Sequence, residues 1–232
     1  MRTALHLLVL TCAMVVATVA RAQNAPEYHT RLADRYYADM AYAQAKDEYK
    51  IAVDMGATNE HVVKRLADCY MKLGDTVNGE IWYGQVVKFL NREPMDLYMY
   101  AQALKGNGKY EQAQQWMDRY LAIAQPQGGA GKSNIVDFAK KFNSTADRFS
   151  VKPVSINSPL TDLGPAWYGT DKIIFASARD TTVGIQRRAA WNDEPFLDMY
   201  SATRQSDGDL ANVERLSGNV NSKFHDGPGV VA

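Results

Sequence analysis

Cysteine is nearly absent from this 232-residue chain, which has only Cys12 and Cys69. That excludes a disulfide framework and any zinc site built from several cysteines. Charge of one sign is also lacking, because 26 basic and 26 acidic side chains cancel to a formal net charge of zero. A nucleic-acid partner would call for a basic footprint, so none is expected. Histidine is scarce, and His6, His29, His61 and His225 stand at no metal-ligand spacing. No serine lies in a Gly-x-Ser-x-Gly turn, and Cys69 sits in a helical pattern with no activating partner in view. Asp207-Gly208-Asp209 lacks the remaining ligands of a calcium loop and reads as a turn. Catalytic residues, metals and cofactors are therefore not expected.

Long apolar runs are missing too, except at the start. Arg2 is followed by an uncharged, mostly apolar stretch from Ala4 to Ala20, and Ala20-Arg21-Ala22 places small residues at the −3 and −1 positions before Gln23. That is the plan of a secretory signal peptide over residues 1–22. The stretch is short for a membrane span, which needs about 20 apolar residues. The expected mature chain is exported, has no transmembrane span, and keeps Cys69 alone.

What the sequence does contain is repetition. Ala33, Ala67 and Ala101 recur every 34 residues, and Tyr36, Tyr70 and Leu104 follow them in step. Ala45, Gly79 and Ala113 recur at the same period, as do Tyr49, Tyr83, Met117 and Ala52, Val86, Tyr120. Small residues suit the close approach of two helices, and large ones the wedge against a neighbour. Gly74-Asp75 and Gly108-Lys109 fall between paired helices, and Pro94 falls at a helix start. Residues 26–125 resemble three repeats of the tetratricopeptide family. The spacing predicts helices near 27–40, 43–56, 60–73, 76–90, 94–107 and 110–124. A seventh is expected at 134–148, capped by Ser133 or Asn134. Its Ile135, Val136, Phe138, Ala139 and Phe142 should cover the open end of the stack.

Residues 126–149 read as connector and capping helix. Gly128 to Ser133 imitates a phosphate-binding loop, but the motif needs glycine where Pro126 stands, and a strand upstream where a repeat helix lies. From 150 onward the pattern alternates. Strands are expected at Pro165–Gly169, Lys172–Arg179, Phe196–Arg204 and Leu210–Leu216, joined as an antiparallel meander. Asp162-Leu163-Gly164-Pro165-Ala166 is echoed by His225-Asp226-Gly227-Pro228-Gly229, 63 residues later between Gly164 and Gly227. The fold class is α plus β: a tetratricopeptide α-solenoid, then over 150–232 the first blade of an incomplete β-propeller and the start of a second.

Four segments carry a narrower resemblance: Gly164 to Tyr168, Ile173 to Arg179, Pro195 to Tyr200, and Asn221 to Pro228. They are similar to the first blade of OmpA-family envelope proteins of Bacteroidota, which join tetratricopeptide repeats to a TolB-type propeller and include PorE-type components of type IX secretion. The resemblance implies a non-enzymatic periplasmic scaffold associated with the outer membrane. Its repeats and propeller would dock envelope proteins, and peptidoglycan would be held only by a C-terminal OmpA-like domain not found in these residues. Two alternatives stay open: the N-terminal part of a propeller-containing peptidase or hydrolase, and a TolB-like partner without a wall-binding domain. Asp75-Thr76-Val77 and Asp180-Thr181-Thr182 resemble the lineage's O-glycosylation motif.

By the same repeat resemblance the first helix of each unit lines a groove. Its expected positions are Asp34 and Tyr37, then Lys64, Asp68 and Met71, then Tyr98, Gln102 and Lys105, a polar and aromatic set suited to an extended peptide or partner helix. The Lys, Asn and Arg set with which chaperone-binding arrays clamp a terminal carboxylate is replaced here by Thr30, Asp34, Met95 and Met99, so that mode is not expected.

Overall fold

A computed structural model describes residues 25–124, 134–144, 148, 150–179 and 187–227. The leader-like residues 1–22, the glycine-rich segment 128–133, Asp180-Thr181-Thr182 and the last residues from 228 lie outside these ranges. The chain divides into two compact units, Met1–Thr145 and Ala146–Ala232.

The first unit is helical: α1 (Pro26–Ala38), α2 (Tyr42–Asp54), α3 (Glu60–Lys72), α4 (Thr76–Val86), α5 (Pro94–Gly106), α6 (Tyr110–Ala124) and α7 (Ile135–Asn143). First helices start at Pro26, Glu60 and Pro94, and second helices at Tyr42, Thr76 and Tyr110, so both sets keep the 34-residue period. Each start has a local cause. Pro26 and Pro94 occupy the first turn of α1 and α5, where a missing N–H costs nothing. The Asn59 side chain accepts from Val62 N at 3.2 Å and Asp75 from Asn78 N at 3.0 Å, capping α3 and α4.

The turn inside each unit is the same device made three times. Ala41, Asp75 and Lys109 donate their backbone N–H groups to Tyr36, Tyr70 and Leu104 oxygens, at 2.8, 3.0 and 2.9 Å. The residue before each donor is left-handed: Met40 at φ 58°, Gly74 at 78° and Gly108 at 73°. Glycine adopts that conformation freely, whereas Met40 pays roughly 1 kcal/mol for it. Ala33, Ala67 and Ala101 are fully buried at equivalent places, as are Ala45 and Ala113. A Cβ at Gly79, the matching position in the second unit, would meet Met71 Sδ at 2.5 Å.

Three expectations about helix ends need correction. The α4 helix stops at Val86 rather than 90, because Lys88 N and Phe89 N bond only three residues back, to Gln85 and Val86, tightening the chain toward Pro94. The α7 helix stops at Asn143 rather than 148, and Asn134 makes no side-chain cap bond. Only Ala139 of its five apolar positions is buried; Phe138 and Phe142 are 67% and 69% exposed. They do not close the stack.

The second unit holds β1 (Asp162–Tyr168), β2 (Lys172–Ser177), β3 (Asp198–Arg204) and β4 (Leu210–Arg215) in an antiparallel sheet of order β1-β2-β3-β4. The expected meander is present, though β1 begins three residues early. Gly164, at φ 62°, sits in a register shift that carries the strand through Gly-Pro. Alternation puts Phe175, Tyr200, Ala202 and Leu210 on one face, under Val154 and Ile156. Ile174, Ala176 and Met199 lie on the other, under Leu197 and Leu216. Arg179 fastens the start of the sheet: it donates to Ser177 Oγ, Ile156 O and Asp162 Oδ1 at 2.7, 2.8 and 2.9 Å.

The sequence echo has a structural counterpart, with one correction. Ser158 N donates to Asp162 Oδ2 at 2.7 Å, and Ser222 N donates to Asp226 Oδ2 at 2.7 Å. In both loops the residue two places after the serine donates its N–H to the serine Oγ: Leu160 at 3.3 Å and Phe224 at 3.1 Å. Asp162 is therefore matched by Asp226, not His225, and the second copy is one residue shorter before its glycine.

Candidate partner-binding groove

Four of the eight expected groove residues meet. Tyr37 of α1 and Lys64, Asp68 and Met71 of α3 line one cavity of about 390 Å³. Met95, Asp96 and Met99 of α5 complete it, with Lys72 and Tyr83. All three first helices thus contribute to one opening. The period does this: residues 34 apart take the same face of successive first helices, and α1, α3 and α5 present those faces side by side.

The floor is polar, and most of its groups are paired with one another. Asp68 accepts the hydroxyls of Tyr83 and, at 3.4 Å, Tyr37. Arg65 lies 4.2 Å from the Tyr37 ring centroid and 4.0 Å from Asp68 Oδ2. Burial raises the Asp68 carboxyl above the usual carboxylate range, against the Tyr83 hydrogen bond and the nearby cations. Burial and then the Asp68 charge push the Tyr37 phenol up to about 12. Burial, followed by the same charge, raises Tyr83 further. Lys64 bridges Glu93 at 2.7 Å and the buried Asp96 at 2.9 Å. Burial opposes its charge, but the two carboxylates outweigh that and hold its pKa above the ordinary value. Cys69, buried beneath the floor, has its thiol pushed up to about 12 by burial and by Asp68, so it stays protonated and unreactive.

The walls are different. Met71, Met95 and Met99 are flexible and polarizable, and Met95 is 51% exposed. Such side chains reshape around an inserted apolar group. The cavity offers adaptable apolar walls above a fixed polar floor, which suits a chain segment carrying an apolar anchor.

The other expected positions lie apart from this cavity. Asp34 accepts Tyr49 Oη at 2.5 Å and is 2.7 Å from His61 Nε2. The Asp34–Tyr49 pair is the Asp68–Tyr83 pair one period earlier; in the third unit Gln102 and Met117 stand in those places. Tyr98 packs on Tyr120, with ring centroids 5.4 Å apart, and Gln102 is half-buried on the same helix. Lys105 lines a second cavity with α7. The contributions of Lys72, Tyr83, Met95, Asp96 and Met99 were not expected from sequence. The Asp–Tyr recurrence, 15 residues apart in two consecutive units, was the available signal for Tyr83.

Among the described residues no cluster of three or more histidine, cysteine, aspartate or glutamate side chains could hold a metal ion. Among them too, no helix is long and apolar enough to cross a membrane.

No family model and no curated protein matches the chain. Solved structures similar to it include the first tetratricopeptide domain of Spaghetti (RPAP3) bound to the HSP90 peptide SRMEEVD, at 16% identity and a TM-score of 0.39, covering 53% of this chain and 93% of that one. Another is the Sgt2 tetratricopeptide domain from Aspergillus fumigatus, at 14% identity and a TM-score of 0.39, covering 59% and 90%.

Proposed function

We propose that this chain is a non-enzymatic scaffold of the cell envelope whose helical repeats hold a segment of a partner protein. The observation that carries the reading is the cavity to which α1, α3 and α5 each contribute, with methionine walls over the Tyr37–Asp68–Tyr83 floor. A partner would place an apolar side chain among Met71, Met95 and Met99 and run its backbone past Tyr37 and Lys64. Interfaces of this kind draw most of their energy from a few anchors, each worth roughly 1–4 kcal/mol on truncation. No cofactor is required.

Export to the periplasm and association with the outer membrane rest on the leader-like residues 1–22 and the blade resemblance, as does a place in type IX secretion or wall anchoring. In this reading the sheet unit acts as a propeller blade that docks further envelope proteins. Peptidoglycan is contacted by a separate OmpA-like domain, as in the resembled family, and not by these residues. The cavity is tested by placing a photo-crosslinking amino acid at Met95 and, as control, at Ile81, which is 56% exposed on α4. In intact cells a discrete adduct is expected from Met95 alone. Equal adducts from both positions, or none from Met95, would remove the cavity from the assignment.

A further inference from the structure

Sulfur is gathered in one place. Seven methionines lie among the described residues, and three of them, Met71, Met95 and Met99, line the cavity of α1, α3 and α5. Met55 and Met199 stand singly at other cavities. Met95 and Met99 are four residues apart on α5, which sets their Cβ atoms about 5–6 Å apart on one face. Two ligands at that helical spacing can reach one metal ion, as paired histidines do for zinc. Met71 comes from α3 to the same opening, and with Met99 it packs on Val63, Ala67, Tyr83 and Val86. Its sulfur lies where a side chain at Gly79 would be, since a Cβ there would meet Met71 Sδ at 2.5 Å.

The other donors around the cavity are taken. Asp68 holds the hydroxyls of Tyr83 and Tyr37. Asp96 is buried; one oxygen accepts Glu93 N at 2.7 Å, and the other lies 2.9 Å from Lys64 Nζ. Among the described residues neither an imidazole nor a thiol lines the opening. Hard cations and zinc need free oxygens, imidazole or thiolate, so neither finds a ligand set here. Thioethers remain, and they select soft ions. Lys64 and Lys72 in the lining are offset by Asp68 and Asp96, so a single positive charge is not expelled.

We propose that Met71, Met95 and Met99 form a three-thioether site for a soft monovalent metal ion, copper(I). The half-exposed Met95 meets the ion first, and the more buried Met71 and Met99 complete its ligands. All three side chains are unbranched and turn freely enough to bring sulfur to one point. Binding of this kind moves no electron and no proton. The site needs no partner segment in the cavity.

The test uses the purified full chain carrying 13C-methyl methionine and silver(I), which takes the same ligands as copper(I) without redox chemistry. One equivalent should move the methyl signals of Met71, Met95 and Met99 and leave Met40, Met55 and Met199 in place. Copper(I) affinity, read by competition with bicinchoninate, should fall at least hundredfold in Met95→Leu/Met99→Leu and at least tenfold in Met71→Leu. Leucine keeps the volume of the walls, so helical content by circular dichroism should not change. Met40→Leu/Met55→Leu and Cys69→Ala should bind as the unaltered chain does. Silver shifts spread equally over Met40 and Met55, no copper(I) binding, or an affinity indifferent to Met95→Leu/Met99→Leu would overturn the proposal. So would an affinity lost in Cys69→Ala. Failure here leaves the Met95 crosslink unaffected, so the two assignments fail separately.

Discussion

In the helical unit a residue and its partner recur together; in the sheet unit a loop recurs, and an arginine fastens its first copy. Asp34–Tyr49 and Asp68–Tyr83 are one bond, made twice a period apart, and the turns at Met40, Gly74 and Gly108 are one turn made three times. Ser158–Asp162 and Ser222–Asp226 are likewise one loop made twice, but Asp162 also receives Arg179. Asp226 accepts Ser222 N, and its own N–H donates to Leu197 O at 2.8 Å. The difference shows where each unit keeps its stability. The helices share it across many equivalent buried positions, whereas the sheet concentrates it in one arginine between two small clusters.

The largest effect that separates the units is expected in the helical core. Leu66 is fully buried among Ala33, Tyr49 and Val62. Leu66→Ala should destabilise the helical unit by about 3–5 kcal/mol. Hydrogen exchange followed by mass spectrometry should show faster exchange across residues 26–124 and an unchanged sheet; equal loss in both units would merge them.

In the sheet, Arg179→Met should cost about 2–4 kcal/mol, because Asp162 and the Ile156 carbonyl lose a half-buried charged donor. Exchange should rise through β1–β3 while the helices hold. If the loss is no larger than for Arg215→Met, whose partner Asp198 it meets at 2.7 Å while more exposed, the concentration of stability at Arg179 is wrong.

A smaller effect probes the repeated bond itself. Tyr83→Phe and Tyr49→Phe should each cost about 1–2 kcal/mol by leaving Asp68 or Asp34 short of a donor. Tyr83→Phe should be the larger, since Asp68 is more buried than Asp34. Urea denaturation measures both, and a reversed order would contradict the burial argument.

The smallest effect is with pH, and its sign differs between the units. Burial alone would raise Asp162, but hydrogen bonds from Ser177, Ser158 and Arg179 bring its pKa down to about 2. The native sheet therefore holds this proton less readily than the unfolded chain. Its stability is full above the ordinary value near 4 and falls as pH drops toward 2, by about 1 kcal/mol after allowing for solvent. Asp68 is raised, so the folded helices bind its proton more readily, and that site contributes stability as pH falls below its raised pKa. Exchange at pH 5, 3.5 and 2.5 should show the sheet loosening through this contribution, and Asp162→Asn should flatten that loss.

Much of the fold was legible because its cues are local. Pro26, Pro94, Asn59 and Asp75 mark helix starts, and alternation around Ile173 to Ala176 marks a strand buried on both faces. Ends were less legible, since α4 stops where three-residue bonds take over and β1 continues through a bulge at Gly164, neither of which is written in residue type. For the groove, position on the first helix was enough to select Tyr37, Lys64, Asp68 and Met71. It could not tell that Asp34 and Asp68 spend their carboxylates on tyrosines of the second helices, because that depends on how the paired helices approach. Met95 and Met99 were visible only as replacements in a clamp; their role as walls follows from α5 opening onto the same cavity as α3, to which the Lys64–Asp96 ion pair joins it.

The central claim is that the partner segment proposed for the repeats sits in the cavity of α1, α3 and α5, and methionines report on both units at once. With 13C-methyl methionine in the full chain, titration with the protein captured at Met95 should shift Met71, Met95 and Met99 and leave Met199, buried in β3, unmoved. Shifts at Met199 with the three cavity methyls silent would contradict the account.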